Sequence, residues 1–408
     1  MKILNVAKAA LYGIFLNYYC YYVLYGAFIP RGTMIFFAIA FVCVGLDVIS
    51  ERYVYIGTEF KCWIAYAVLS FLTTGFLMLG NSSAGYIGDI AKYVQRLIMT
   101  MMIAYICERE KSIRFGLQLM AVTAAVCAVS ILLVTDDIQR KLSISTDASL
   151  SANDIGAIMA FGCFSVIFST GNRNRPSFLR TAVKTAAVIA ILSVVFLAGS
   201  RKSFGAIVIM AVLLAGLWFT DYRKKHSPYQ LLIILVVGAA AYLFITENLL
   251  PLAEQTNLYN RLIGRGAEGA SQSDDLRVDL YRWAIQDFLT HPFFGLGFNE
   301  YVSHHGNYTH STYVEPLACS GLIGLLYLYP YASMTIKQIQ LILKNKKGSQ
   351  ARLKQKEILV YLCMFLFIAV GIPYMYKDVP CILLGTFVAS QAISFQELRE
   401  VGHSSETY

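Results

Sequence analysis

Uncharged apolar stretches close to the ~20 residues needed to cross a bilayer recur along the whole of this chain. Nothing else in the sequence restricts the fold as strongly. A backbone in lipid must satisfy its own hydrogen bonds, so it crosses as a helix or as part of a closed barrel. Barrel strands would read as ~10-residue alternating segments, and these are absent. Composition agrees: 57 % of residues are hydrophobic, 14 % are charged and the mean hydropathy is +0.56. Soluble domains carry roughly 25 % charged residues. The expected class is an all-α polytopic membrane protein. The first apolar stretch, from Ala9, has no small-residue cleavage signal and leads into further spans, so it is expected to remain as an anchor.

Twelve spans are expected, near residues 9–29, 33–49, 62–80, 87–107, 115–135, 154–171, 181–199, 203–220, 230–247, 311–331, 357–373 and 379–396. The connection KQIQLILKNKKGSQARLKQKE holds seven Lys and Arg residues and is the strongest orientation signal. Placing it in the cytoplasm also places RNRPSFLR, DYRKKHS and both termini there. The net charge of +9 is then mostly a topogenic signal toward an anionic inner leaflet, with no reason to invoke nucleic acid. The organisation expected is spans 1–9 in residues 1–247, an extracytoplasmic loop with an amphipathic helix in 248–310, spans 10–12 in 311–396 and a cytoplasmic tail in 397–408. The nine cysteines lie in or at the ends of spans with no CxxC spacing, which reads as apolar packing.

The long outer loop carries the chemistry. In LRVDLYRWAIQDFLTHPFFGLGF, Leu280, Ala284 and Phe288 recur at helical spacing, with Arg277, Asp279, Arg282 and Asp287 on other faces. Pro292 and Gly295 stop the helix, and Trp283, Phe293 and Phe294 suit a bilayer interface. An interfacial amphipathic helix with snorkelling arginines is one reading of this segment. Arg201 and Lys202 sit in a short external turn, AGSRKSFGA, against the positive-inside trend. They are either headgroup anchors or a site for a dissociating pyrophosphate, whose oxygens a guanidinium holds two at a time. Lys92 and Arg96 share one face near the outer end of the fourth span, where a charge is costly. Asp89, one turn from Lys92, offers a structural pairing as an alternative to substrate binding.

His304, His305 and His310 fall within seven positions. Their spacing fits no HxxxH arrangement and no cysteine lies in the outer loops, so no metal is expected. His304 and His305 read as solvated loop residues. His310 stands where the loop re-enters the membrane and could act as a base at a substrate hydroxyl. Glu315, nominally buried in the next span, should pair with an arginine or serve function.

At this point the residues resemble a known family. THSTYVEPLACSGLIG is similar to the H-N-x-x-L-E-x-L-x-x-x-G-x-x-G signature of the bacterial O-antigen polymerase and ligase superfamily (Wzy-type polymerases and WaaL-type ligases), with His310, Glu315, Leu317, Gly321 and Gly324 in register. GSRKS resembles the family's Ser-Arg turn. Arg277, Pro292, Gly295, Gly297 and Tyr301 match its R-x(n)-P-x-x-G-x-G-x-x-x-[FY] segment. SANDIG is similar to its N-x-x-G segment through Asn153 and Gly156. The resemblance covers residues 150–330. Ser311 departs from it by replacing the usual Asn after the histidine, and Pro316 is unusual within a span.

The resemblance implies a GT-C-like bundle capped by the outer loop, and metal-independent, cofactor-free transfer of a glycan from undecaprenyl diphosphate to an acceptor hydroxyl. It assigns Arg201 and Arg277 to the diphosphate and His310 to the acceptor, with Lys202, Arg282, Glu315, Arg96, Lys92 and Asn153 as substrate-binding candidates. The expected setting is the bacterial cytoplasmic membrane, with the site facing the periplasm or exterior. Partners would be the lipid-linked glycan, membrane lipid, and a chain-length regulator and flippase of the same pathway. Repeat-unit polymerase is the first reading and O-antigen ligase the second. A flippase or transporter for lipid-linked oligosaccharide is the third; it calls for charges across the midplane, whereas here they gather at the outer surface.

Overall fold

The structure, a computed structural model, describes residues 2–18, 30–51, 57–77, 85–134, 152–168, 178–198, 200–222, 267–346 and 349–405. Every regular element among them is helical: α1 (Lys2–Leu16), α2 (Pro30–Glu51), α3 (Thr58–Leu77), α4 (Gly85–Arg109), α5 (Arg114–Val134), α6 (Ala152–Phe168), α7 (Phe178–Ala198), α8 (Arg201–Tyr222), α9 (Ala267–Thr290), α10 (Glu300–His305), α11 (Glu315–Ser320), α12 (Gly324–Lys344), α13 (Gln350–Ala369) and α14 (Val379–Ser405). Short 3-10 turns cover Gly321–Ile323 and Tyr374–Tyr376. Among the described residues six stretches are long and apolar enough to cross a membrane, consistent with an all-α membrane protein. The expected ninth span, near 230–247, and the adjoining part of the outer loop lie outside the described residues, as does most of 136–153.

Lipid-facing and buried surfaces are both apolar, so the helices pack through shape and small residues. A Cβ at Gly162 would lie 2.0 Å from that of Ala124, and one at Gly116 2.0 Å from the Thr386 hydroxyl, which shows how closely α5 approaches α6 and α14. The peripheral α2 leaves Met34 and Ile49 exposed, at no hydrophobic cost in lipid. Glu59, fully buried at the start of α3, is held by Lys337 at 2.5 Å and Ser333 at 2.7 Å. Pro30 begins α2 and Ser349 caps α13 by accepting the N–H of Arg352, the positions where a missing donor or a side-chain acceptor suits a helix start.

The tenth span departs from the single helix expected over 311–331. It opens as α11, breaks at Gly321 (φ 57°) and resumes as α12 as far as Lys344. Pro316 is not an interruption, because it lies in the first turn of α11 where no N–H is required. The break admits the loop segment after α9. Leu296 N–H donates to Ala318 O (3.0 Å), Gly297 N–H to Cys319 O (2.9 Å) and Leu322 N–H to Pro292 O (2.7 Å). A Cβ at Gly295 would sit 2.4 Å from the Cys319 carbonyl carbon, and one at Gly321 2.5 Å from Pro292 O. The glycines of the two motifs thus interlock backbone against backbone.

The rest of the loop is pinned by aromatic packing. Phe298 donates its N–H to Thr74 Oγ1 (2.8 Å) and lies among Tyr66, Tyr93 and Tyr376. In α9, Leu280 and Ala284 are buried as their spacing predicts, while Leu289 and, beyond the helix, Phe293 are exposed. The helix begins earlier than the apolar pattern, at Ala267.

Candidate functional site

The segment 306–314 passes over the turn between α13 and α14. Thr312 N–H donates to Ala369 O (2.9 Å), and its hydroxyl donates to Ile372 O (2.5 Å) while accepting from Tyr374 N–H (3.0 Å). Tyr281 of α9 donates to Val370 O (2.7 Å) in the same turn. A Cβ at Gly371 would meet the Lys202 side chain at 2.0 Å, so the start of α8 also abuts it. Ser200 bonds Ser203 (2.9 Å) and approaches Asn153 Oδ1 (3.4 Å). A Cβ at Gly156 would strike both serines, so the GSRKS turn is seated on the start of α6. Five separate sequence segments therefore meet at one end of the bundle.

His310 is at their centre, in a left-handed conformation (φ 58°). For a non-glycine residue this costs roughly 1–2 kcal/mol, so its neighbours must hold it. Glu315, fully buried, accepts the Thr309 N–H at 2.7 Å on Oε2 and the Tyr376 hydroxyl at 3.3 Å on Oε1. Cys319 Sγ lies 3.9 Å from Oε1. Ser311 accepts the Tyr313 N–H at 3.2 Å and donates its own N–H to Thr309 Oγ1 at 3.2 Å. It stabilises the turn as a hydroxyl residue does.

The surroundings of His310 are cationic. Burial, then the Arg277 guanidinium and the Lys202 ammonium, push its imidazole down to about 4, Lys377 adding to the depression and Asp154 opposing it. Neutral imidazole is the form present at neutral pH. Its ring packs 4.3 Å from that of Tyr308, over which Lys377 Nζ lies at 5.9 Å. Burial and the nearby Asp154 carboxylate push the Tyr308 hydroxyl up to about 12.

The remaining candidates divide. Arg277 and Lys202 act on His310, and Arg201 opens α8 in the same turn, half-buried. Asn153 faces Ser200. Arg96 bonds Asp378 at 2.7 Å and Met375 O at 3.3 Å, and it lines a cavity of about 60 Å³ with Asp154, Tyr374, Tyr376 and Lys377. Lys92 pairs with Asp89 at 3.3 Å, and Asp89 also accepts Asn299 Nδ2 at 2.7 Å. Arg282 is exposed and pairs with Asp279 at 3.3 Å. Of the other histidines, His304 is exposed as expected, but His305 is not a solvated residue. It bonds Asp287 at 2.8 Å and stacks on Trp283. Among the described residues no three His, Cys, Asp or Glu come together as metal ligands.

Sequence reasoning passed over the Lys377–Asp154 pair, 2.9 Å apart and half to fully buried. A signal existed: Lys377 and Asp378 are adjacent charges in a short turn between two apolar helices, where each calls for a partner.

No curated protein matches the chain closely enough to be called a relative. Residues 186–329, the segment that carries Arg201, Lys202, Arg277, His310 and Glu315, match the family model described as O-antigen ligase, and this match supports the resemblance to the O-antigen polymerase and ligase superfamily.

Proposed function

We propose that this protein is a metal-independent membrane glycosyltransferase that polymerises undecaprenyl-diphosphate-linked repeat units of a surface polysaccharide on the outer face of the cytoplasmic membrane. The observation that carries the reading is a neutral, cation-ringed His310 at one end of the bundle. A diphosphate held by Arg277, Arg201 and Lys202 would lie against that imidazole. The acceptor hydroxyl oxygen attacks the anomeric carbon of the lipid-linked glycan, and the bond from that carbon to the diphosphate oxygen breaks. The bonding pair leaves with the diphosphate, whose growing charge the cations stabilise. His310 takes the hydroxyl proton. Bound diphosphate also offsets the Arg277 and Lys202 charges, so the imidazole becomes a stronger base when substrate is present. Glu315 holds His310 in place through Thr309. Arg96 and Lys92, each tied to an aspartate, fit a supporting role better than direct contact.

A second reading, the ligase that transfers finished glycan to a lipid or wall acceptor, is favoured by the description of the matching domain. Purified protein given a lipid-linked repeat unit decides between them. A ladder of repeat lengths supports the polymerase. Transfer only when a second acceptor is added supports the ligase. Movement of the lipid across vesicles without glycosidic bond formation would overturn both in favour of a flippase.

A further inference from the structure

The bundle has a second cavity, remote from His310. Asp154 starts α6 and Phe168 ends it, about 21 Å apart at 1.5 Å per residue. At the Phe168 end, α5, α6, α13 and α14 line an open cavity of about 280 Å³. Its wall is aromatic: Phe164 stacks on Phe168 at 4.2 Å and on Tyr361 at 3.8 Å. Its mouth is charged. Arg114 and Lys354 line it with exposed side chains, and Glu357, 6 % exposed, is the one carboxylate. No described acidic residue forms an ion pair with Arg114 or Lys354. Ser390, 4 % exposed, also lines the space, and no described residue bonds its hydroxyl.

Among the described lining residues two cations stand against one carboxylate, which leaves a net positive mouth beside an apolar wall. A soluble dianionic phosphate would leave the stacked rings uncovered, and an apolar molecule would leave the guanidinium without an anion. A phosphodiester carrying one negative charge and an acyl chain satisfies both, with the planar fork of Arg114 suited to two of its oxygens. The adjoining connection supplies six Lys and Arg residues between Lys344 and Lys356, and charge of this kind draws anionic lipid to a membrane surface.

We propose that this cavity binds a singly anionic glycerophospholipid, its phosphodiester between Arg114 and Lys354 and the first methylenes of one chain over Phe164 and Phe168. Such a lipid would bridge α5 and α6 to α13 and α14 and stabilise the bundle by mass action. The site is independent of the glycan chemistry at the other end.

Native mass spectrometry of the full chain, released from micelles containing equal phosphatidylglycerol and phosphatidylcholine, tests this. The expected result is one retained phosphatidylglycerol, with retention about tenfold lower in the Arg114→Gln/Lys354→Gln double variant. Equal retention by the variant, or equal retention of phosphatidylcholine, would overturn the proposal. Displacement by about 10 mM inorganic phosphate would assign the site to a free phosphate species and also overturn it. Ser390→Leu fills the cavity without altering charge, so it should lower retention as well; unchanged retention contradicts the placement.

Discussion

The ammonium of Lys377 lies 2.9 Å from the carboxylate of Asp154, joining the turn before α14 to the start of α6 beside His310. Both partners are largely removed from solvent, so loss of one takes the nearest opposite charge from the other. In the proposed reaction Lys377 is a further cation near the diphosphate, held by Asp154. Lys377→Ala should therefore raise KM for the lipid-linked glycan about tenfold or more. Asp154→Asn, which removes the counter-charge 2.9 Å from the Lys377 ammonium, should lower protein stability more than Lys377→Met does. Steady-state rates and thermal melts in micelles check the two effects separately.

Glu315 acts at one remove from the chemistry, through the Thr309 N–H at 2.7 Å. Glu315→Gln retains an acceptor oxygen for that N–H, whereas Glu315→Ala leaves a buried donor unsatisfied, at a cost of about 1–3 kcal/mol. Gln should keep most of kcat, and Ala should lower kcat by about tenfold or more with KM little changed. Equal loss in both variants would point to a need for the carboxylate charge itself.

The interlocked glycines give a stability prediction. Gly295 has a φ of 66° and backbone atoms where a Cβ would stand, whereas Gly306 has a φ of 72° and open space. Gly306→Ala should cost only the left-handed penalty, about 1–2 kcal/mol. Gly295→Ala adds a backbone collision and should leave little folded protein in the membrane. Comparable yields and melting temperatures for the two would contradict the packing described.

His310 supplies a pH signature. Its folded-state pKa of about 4 lies below the ~6.5 of a free imidazole. An unfolded chain thus takes up a proton between those values that the folded chain refuses, and stability falls as pH drops through that window. For activity, kcat/KM reports the free enzyme and should lose its acid limb near pH 4. The corresponding limb of kcat should lie higher, because bound diphosphate offsets the depressing cations. Coincident limbs near pH 6.5 would contradict the cation-ringed site.

Much of this arrangement is legible in the residues alone, for identifiable reasons. Apolar length reveals spans because lipid forces every backbone group into a helix, and the period of Leu280, Ala284 and Phe288 reveals the buried face of α9. The turn holding Arg201 and Lys202 stands out because charge there opposes the topogenic trend. Long-range pairing is what a linear reading could not supply. Arg96 finds Asp378 and Lys377 finds Asp154 across more than two hundred residues. Gly321 looks like a helix-packing glycine until Pro292 and Phe293 are seen lodged against it. His305 reads as solvated because nothing local marks Asp287, eighteen residues earlier, as its partner.

The central claim is that His310 and Arg277 together drive glycan transfer, and one rate comparison tests it. With purified protein and a lipid-linked repeat unit, His310→Ala and Arg277→Ala should each lower the single-turnover rate of glycosidic bond formation by about a hundredfold or more, with both variants folded. Wild-type single-turnover rates in either variant would contradict the account.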